Sequence, residues 1–116
     1  MRNALIFDDN KILAELVQIK VEALFRKYDL EFEVDRMNSI KQLEACEKTY
    51  QLVFMDIVLP EQDGIHITRE WKNSGRFGEV VFVSAYDDKV FASFDTNPLY
   101  FVRKNNLDED LEQAII

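Results

Sequence analysis

The chain has one cysteine, Cys46, one histidine, His66, two prolines and three glycines in 116 residues. A lone thiol excludes an internal disulfide framework and fits a reducing cytoplasm. His66 has no companion histidine or cysteine at ligand spacing, so a zinc centre is not indicated. No apolar run approaches the roughly 20 residues that span a bilayer. Asp8 and Asp9 break the first apolar run too early for a signal segment. Basic residues are also scarce: 14 Lys and Arg face 22 Asp and Glu, for a net charge of −8. Neutralising phosphates needs clustered basic side chains, so direct nucleic-acid binding by this segment is not expected. No partnership with a membrane is expected either.

What is present is an alternation. Hydrophobic residues at 47% and charged residues at 31% describe an ordinary soluble domain, and the length suits one such domain, residues 1–116. Short apolar runs predict strands at Asn3–Phe7, Glu31–Met37, Leu52–Met55, Val80–Val83 and Leu99–Arg103. The third and fourth are apolar throughout, as expected of strands covered on both faces. Between them, helices are expected at Asn10–Tyr28, Ser39 to about Lys48, Gly64–Asn73, Asp88–Phe94 and Asp108–Ile116. The first carries Ile12, Leu16, Ile19 and Ala23 at helical spacing, with Leu13, Val17 and Leu24 widening the stripe. The second opens on a capping box, Ser39-Ile40-Lys41-Gln42. Alternating strands and helices predict an α/β fold with one parallel sheet and right-handed crossovers. The last helix stops on Ala114-Ile115-Ile116 with neither a polar tail nor a glycine cap. The chain is therefore expected to be the N-terminal part of a longer protein.

Four of the five apolar runs deliver such polar residues at their C-terminal ends: Asp8-Asp9, Asp56, Ser84 and Lys104. In open α/β sheets the ligand crevice lies outside that edge. The first and third strands are neighbours in a doubly wound sheet, so three carboxylates converge there. Such a cluster is repulsive without a cation. Mg²⁺ suits it, being a hard ion that takes oxygen ligands and phosphate oxygens. The Lys104 ammonium can pair with a phosphoryl oxygen and the Ser84 hydroxyl can donate to another. Val58, two residues after Asp56, can offer a metal only its backbone carbonyl. Taken singly, each member has a blander reading as a helix cap, a turn or a surface charge. Acidic neighbours also occur by chance in this chain, as Asp87-Asp88 and Asp108-Glu109-Asp110 illustrate. The joint order along four strand ends makes coincidence a poor account.

On these residues the chain resembles a response-regulator receiver domain over essentially its full length. That family has an acidic pair after strand one, a phospho-accepting Asp after strand three, Ser or Thr after strand four and Lys after strand five. Met55-Asp56-Ile57-Val58-Leu59-Pro60 and Asp63-Gly64 also match its motif. The segment Tyr100-Phe101-Val102-Arg103-Lys104-Asn105 resembles receivers attached to LytTR-type DNA-binding domains. The resemblance implies a flavodoxin-like fold, a five-stranded sheet of order 2-1-3-4-5 flanked by five helices. It implies that Asp56 accepts a phosphoryl group from a sensor histidine kinase, and that Asp9, Asp56 and the Val58 carbonyl bind Mg²⁺ directly. Asp8 is expected to act through a bound water. Lys104 is expected to neutralise the phosphoryl oxygens, and Ser84 and Phe101 to form the switch. The implied partners are that kinase, a C-terminal output domain and, on phosphorylation, a second copy of the chain. The implied activity is a phosphoacceptor switch that assists its own phosphorylation and dephosphorylation, in place of a turnover enzyme.

Three rival readings stand beside this one. A haloacid-dehalogenase-like phosphatase needs Asp-x-Asp after the first strand, where Asp8-Asp9-Asn10 offers Asn, and it needs room for a cap. A flavodoxin-like FMN binder needs a Ser/Thr/Gly-rich phosphate loop that is missing here. A stand-alone receiver that docks on a target differs only in having no output domain after residue 116. One departure from the family concerns Asn105, which stands where a cis proline usually succeeds the lysine. A cis bond before a non-proline costs about 2.5–4 kcal/mol, so a trans Lys104–Asn105 bond is expected. His66 and Cys46 are read as structural or exposed, and as a small core residue, respectively.

Val58 and Tyr86, two residues after Asp56 and Ser84, carry no carboxylate or amide to orient an attacking water. Self-dephosphorylation is therefore expected to be slow. Loss of an incorporated phosphoryl label within seconds in Mg²⁺ buffer would contradict this.

Overall fold

The computed structural model describes residues 2–57, 63–84 and 98–115. Five strands, β1 (Arg2–Phe7), β2 (Phe32–Met37), β3 (Tyr50–Asp56), β4 (Phe77–Ser84) and β5 (Tyr100–Arg103), form one sheet. All pair in parallel, in the order β2-β1-β3-β4-β5, which is the order expected. Helices α1 (Lys11–Lys27), α2 (Ile40–Ala45), α3 (Gly64–Asn73) and α4 (Leu107–Ile115) pack on it. The helix expected at Asp88–Phe94 lies outside the described residues. Among the described residues no helix is long and apolar enough to cross a membrane.

The two-residue period of the strands sorts the core into two layers. Ala4 and Ile6 of β1 face one side, with Phe54, Val81, Val83 and Val102, and are covered by α1 and α4. Leu5 and Phe7 face the other, with Val53, Met55, Val80 and Phe82, and are covered by α2 and α3. Strands β1, β3 and β4 are thus buried on both faces, which explains their nearly unbroken apolar runs.

Helix α1 corrects the sequence reading. Ile12, Leu16 and Ile19, read as the apolar stripe, are 83%, 43% and 58% exposed. The face on the sheet is instead Ala14, Val17, Val21 and Phe25. The helix carries apolar residues on more than one side, and periodicity alone cannot choose between them. Packing with the sheet and α4 selects the face that is buried, while the Asn10 side chain caps the helix start by accepting from the amides of Ile12 and Leu13. Phe25 then stacks on Phe32 of β2, ring centroids 4.7 Å apart.

The Ser39–Gln42 capping box forms in both directions. Helix α2 nonetheless ends at Ala45, short of Lys48, because Cys46 adopts extended backbone. Strands β3 and β4 are longer than read, starting at Tyr50 and Phe77. Polar Gln51 and Glu79 and side-chain-free Gly78 hid their N-terminal halves. Gly78 lies so close to β3 that a Cβ there would fall 2.7 Å from the Gln51 carbonyl oxygen. Strand β5 begins at Tyr100, one residue late, and α4 at Leu107, one early. Among the described residues no peptide is cis, so the Lys104–Asn105 bond is trans as expected. A single 3-10 turn, Lys104–Asn106, carries β5 into α4.

Replacing Phe25 with Ala should cost about 3–5 kcal/mol in urea unfolding, whereas Ile12→Ala should change stability by no more than about 0.5 kcal/mol. The reverse ranking would show that α1 is turned the other way.

Candidate functional site

The parallel sheet brings the strand ends to one edge. Asp8 and Asp9 come directly after β1, Asp56 closes β3, Ser84 closes β4 and Lys104 comes after β5. Carboxylate oxygens of Asp8, Asp9 and Asp56 all lie within 4.8 Å of one another. Asp8 and Asp56 are buried and Asp9 is exposed. The Lys104 ammonium reaches between the buried pair, 3.4 Å from Asp8 Oδ2 and 3.3 Å from Asp56 Oδ1. Ser84 is buried at the same edge, opposite Arg103 in the β4–β5 register. Three strand ends therefore bring their predicted side chains together, and Ser84 ends a fourth strand at the same edge of the sheet.

Local structure fixes each carboxylate. The Asp8 amide donates to the Met37 carbonyl at 3.2 Å, joining the β1 end to β2. Its Oδ1 accepts from the Asn10 amide at 2.9 Å, so Asp8 is held by the turn that starts α1. Asp56 is held from the other side by α3. The Gly64 amide donates to the Ile57 carbonyl at 2.7 Å, and Asp63 caps the helix by accepting from the Ile65 amide. A Cβ on Gly64 would lie 2.0 Å from the Asp56 carbonyl oxygen, a separation no side chain can occupy. Only glycine lets α3 begin there.

Burial pushes the Asp56 carboxyl up to about 7, and the charge of Asp8 pushes the same way against the pull of Lys104. One ammonium is too little for three carboxylates. A hard cation fits this donor set, which is all oxygen, convergent, and open to solvent on the Asp9 side.

The remaining predicted residues are more scattered. Phe101 pairs with Phe82 across the sheet and packs, half-buried, on the α2/α3 layer. Val58 and Tyr86 lie outside the described residues. His66 is exposed, 3.7 Å from Glu70, and Cys46 is half-buried against the core beside the Tyr50 hydroxyl.

Sequence reasoning missed Asp110. It stands in an acidic run read as a chance cluster, yet Asp108 is exposed while Asp110 is buried among apolar neighbours. Its carboxylate accepts from the Arg103 amide at 2.9 Å, Arg103 Nε at 2.8 Å, Arg103 Nη2 at 3.0 Å and Asn106 Nδ2 at 3.0 Å. The Arg103 hydrogen bond, foremost among these contacts, holds its carboxyl down at about 2. Helical spacing was the available signal. Leu107, Asp110, Leu111 and Ala114 form one buried face of α4, and a carboxylate on such a face requires partners.

Comparison with known proteins gives a consistent result. The family described as "Response regulator receiver domain" matches residues 4–116. An uncharacterised response regulatory protein of Vibrio cholerae is 31% identical over 82% of this chain and 33% of its own length. The sensory transduction protein LytT of Bacillus subtilis is 22% identical over 99% of this chain and 47% of its own. The chain thus spans less than half the length of these curated relatives. Among solved structures, a receiver domain from Methylobacillus flagellatus superposes with a TM-score of 0.79 at 22% identity, covering 99% of this chain and 96% of that one. The Thermotoga maritima response regulator TrrA, solved in complex with Mg²⁺ and BeF, gives 0.74 at 18% identity, with 99% and 96% covered.

The raised Asp56 carboxyl has a sign that can be tested. The folded chain holds this proton more tightly than the unfolded chain, so stability falls as pH rises from about 4 to about 7. In metal-free buffer at pH 8, Asp56→Asn should be more stable than the wild type by roughly 2–4 kcal/mol, the gain vanishing near pH 4. Urea unfolding along a pH series reads this directly, and no gain at pH 8 would contradict it.

Proposed function

The chain belongs to the response-regulator receiver domain family of two-component signalling, and from that premise we propose that Asp56 is its phosphoacceptor. The observation that carries this reading is the Lys104 ammonium set between two buried carboxylates, with a third carboxylate open to solvent. Asp56 then supplies the attacking oxygen. Its bond to phosphorus forms as the phosphorus–nitrogen bond of a phosphohistidine on the sensor kinase breaks, and the imidazole leaves with the electron pair. Phosphoryl transfer of this kind depends on positioning and charge neutralisation more than on covalent machinery.

Asp8, Asp9, Asp56 and the Val58 carbonyl would hold Mg²⁺, with Asp8 acting through water. When bound, the ion supplies the positive charge that keeps Asp56 ionised and offsets the oxygens of the incoming phosphoryl group. Lys104 binds one of those oxygens, at a position it already occupies beside Asp56 Oδ1. Ser84, buried at the end of the next strand, donates to another after transfer. Phe101, half-buried on β5, is the aromatic that moves with it.

The kinase has to bring its phosphohistidine to this edge. The exposed Ile12–Leu16–Ile19 stripe starts three residues after Asp9 and offers the apolar face on which it docks. The relatives' greater length supports an output domain after residue 116, and the resemblance of residues 100–105 to receivers attached to LytTR-type domains favours a DNA-binding one. A second copy of the phosphorylated chain is the remaining proposed partner.

The direct experiment uses a small-molecule phosphoryl donor with Mg²⁺. Wild-type protein should incorporate one hydroxylamine-labile phosphoryl group per chain, and Asp56→Asn none. Equal labelling of the two proteins would defeat the assignment. So would continued turnover of the donor far beyond one equivalent, which is the behaviour of a phosphatase.

A further inference from the structure

The carboxylate of Asp110 lies on α4, yet the hydrogen bonds it accepts come from the segment around Lys104. It takes the amide and the guanidinium of Arg103, one residue before, and the side-chain amide of Asn106, two residues after. The 3-10 turn that begins at Lys104 is thus bracketed on both sides by one buried acid. Lys104 needs such bracketing. Its four-carbon stem is flexible, and among the described residues β5 is the last strand of the sheet, paired on one side by β4. The ammonium is useful only if the backbone that launches it stays in register with Asp8 and Asp56, which sit at the ends of β1 and β3.

We propose that Asp110 is a positioning residue for Lys104, fixing the β5–α4 turn so that the ammonium stays between Asp8 and Asp56. This rests on the reading of that cluster as the Mg²⁺ and phosphoryl site. Asp110 is not among the residues proposed to hold the cation or the phosphoryl group. It acts through the backbone on either side of Lys104, and Arg103 is the intermediary whose peptide and side chain it holds together.

Mg²⁺ affinity, measured by titration calorimetry with the metal alone, separates positioning from mere support of the fold. Removing the ammonium relieves competition for the carboxylates, so Lys104→Ala should bind Mg²⁺ more tightly, by about threefold or more. If Asp110 acts through Lys104, Asp110→Ala should also tighten binding, by about twofold, and should add nothing in a Lys104→Ala background. General loosening of the site, or the lost negative charge, would weaken binding instead. Weaker or unchanged Mg²⁺ binding by Asp110→Ala overturns the proposal. With saturating Mg²⁺, the same variant should label from a small-molecule donor about tenfold more slowly, since small misplacement of a charged group is costly; a wild-type rate also overturns it.

Should Asp110→Ala fail to fold, Asn106→Ala keeps the Arg103–Asp110 pair and should shift Mg²⁺ affinity in the same direction by a smaller factor. A shift in the opposite direction, or none, overturns the proposal. Asp56→Asn distinguishes the two levels of failure. If it labels like the wild type, the reading of the site falls and this proposal with it. If it is unlabelled while Asp110→Ala binds Mg²⁺ no more tightly, only the positioning role falls.

Discussion

Like charges crowded at the edge of a parallel sheet are the constraint around which this molecule is arranged. Three carboxylates whose oxygens lie within 4.8 Å of one another repel, and two of them are also cut off from water. An ordinary core could not tolerate this. Here it is tolerated because the strands that bring these charges together are locked by something other than the site. Asp8 is held by a backbone bond to β2 and by the first turn of α1. Asp56 is held by the close approach of α3. Lys104 comes after an edge strand tied down by Asp110. The scaffold supplies the order, and the residual repulsion leaves a place for positive charge.

That arrangement explains why the site was legible and much of its support was not. Asp8, Asp9, Asp56, Ser84 and Lys104 each sit where an apolar run stops, and strand ends in a parallel sheet converge by topology. Their order along the chain was therefore enough to bring them together before any contact was known. The strand order came from the resemblance that those same residues carried.

Side chains that work through helix orientation were harder to find. Helix α1 offers more than one apolar stripe, and only its packing with the sheet and α4 decides which is buried. Ile12, Leu16 and Ile19 are hydrophobic by type and surface by position, so a count of periodic residues misplaced them. Asp110 failed for the opposite reason. Inside an acidic run it looked like surface charge, although its spacing from Leu107, Leu111 and Ala114 put it on the buried face. Gly78 and its polar neighbours shortened β3 and β4 in the sequence reading because strand pairing there depends on backbone approach, which leaves little trace in hydropathy.

Gly64 has a mechanical consequence. With no Cβ to spare, the first residue of α3 sits directly on the Asp56 carbonyl, and its amide is bonded to the next carbonyl along. Strand and helix meet there as a joint without play. Displacement of the Asp56 backbone toward that helix meets no soft side chain that could absorb it, so α3 has to travel with the strand. Among the described residues, the β3–α3 junction thus passes a backbone movement at Asp56 directly into α3.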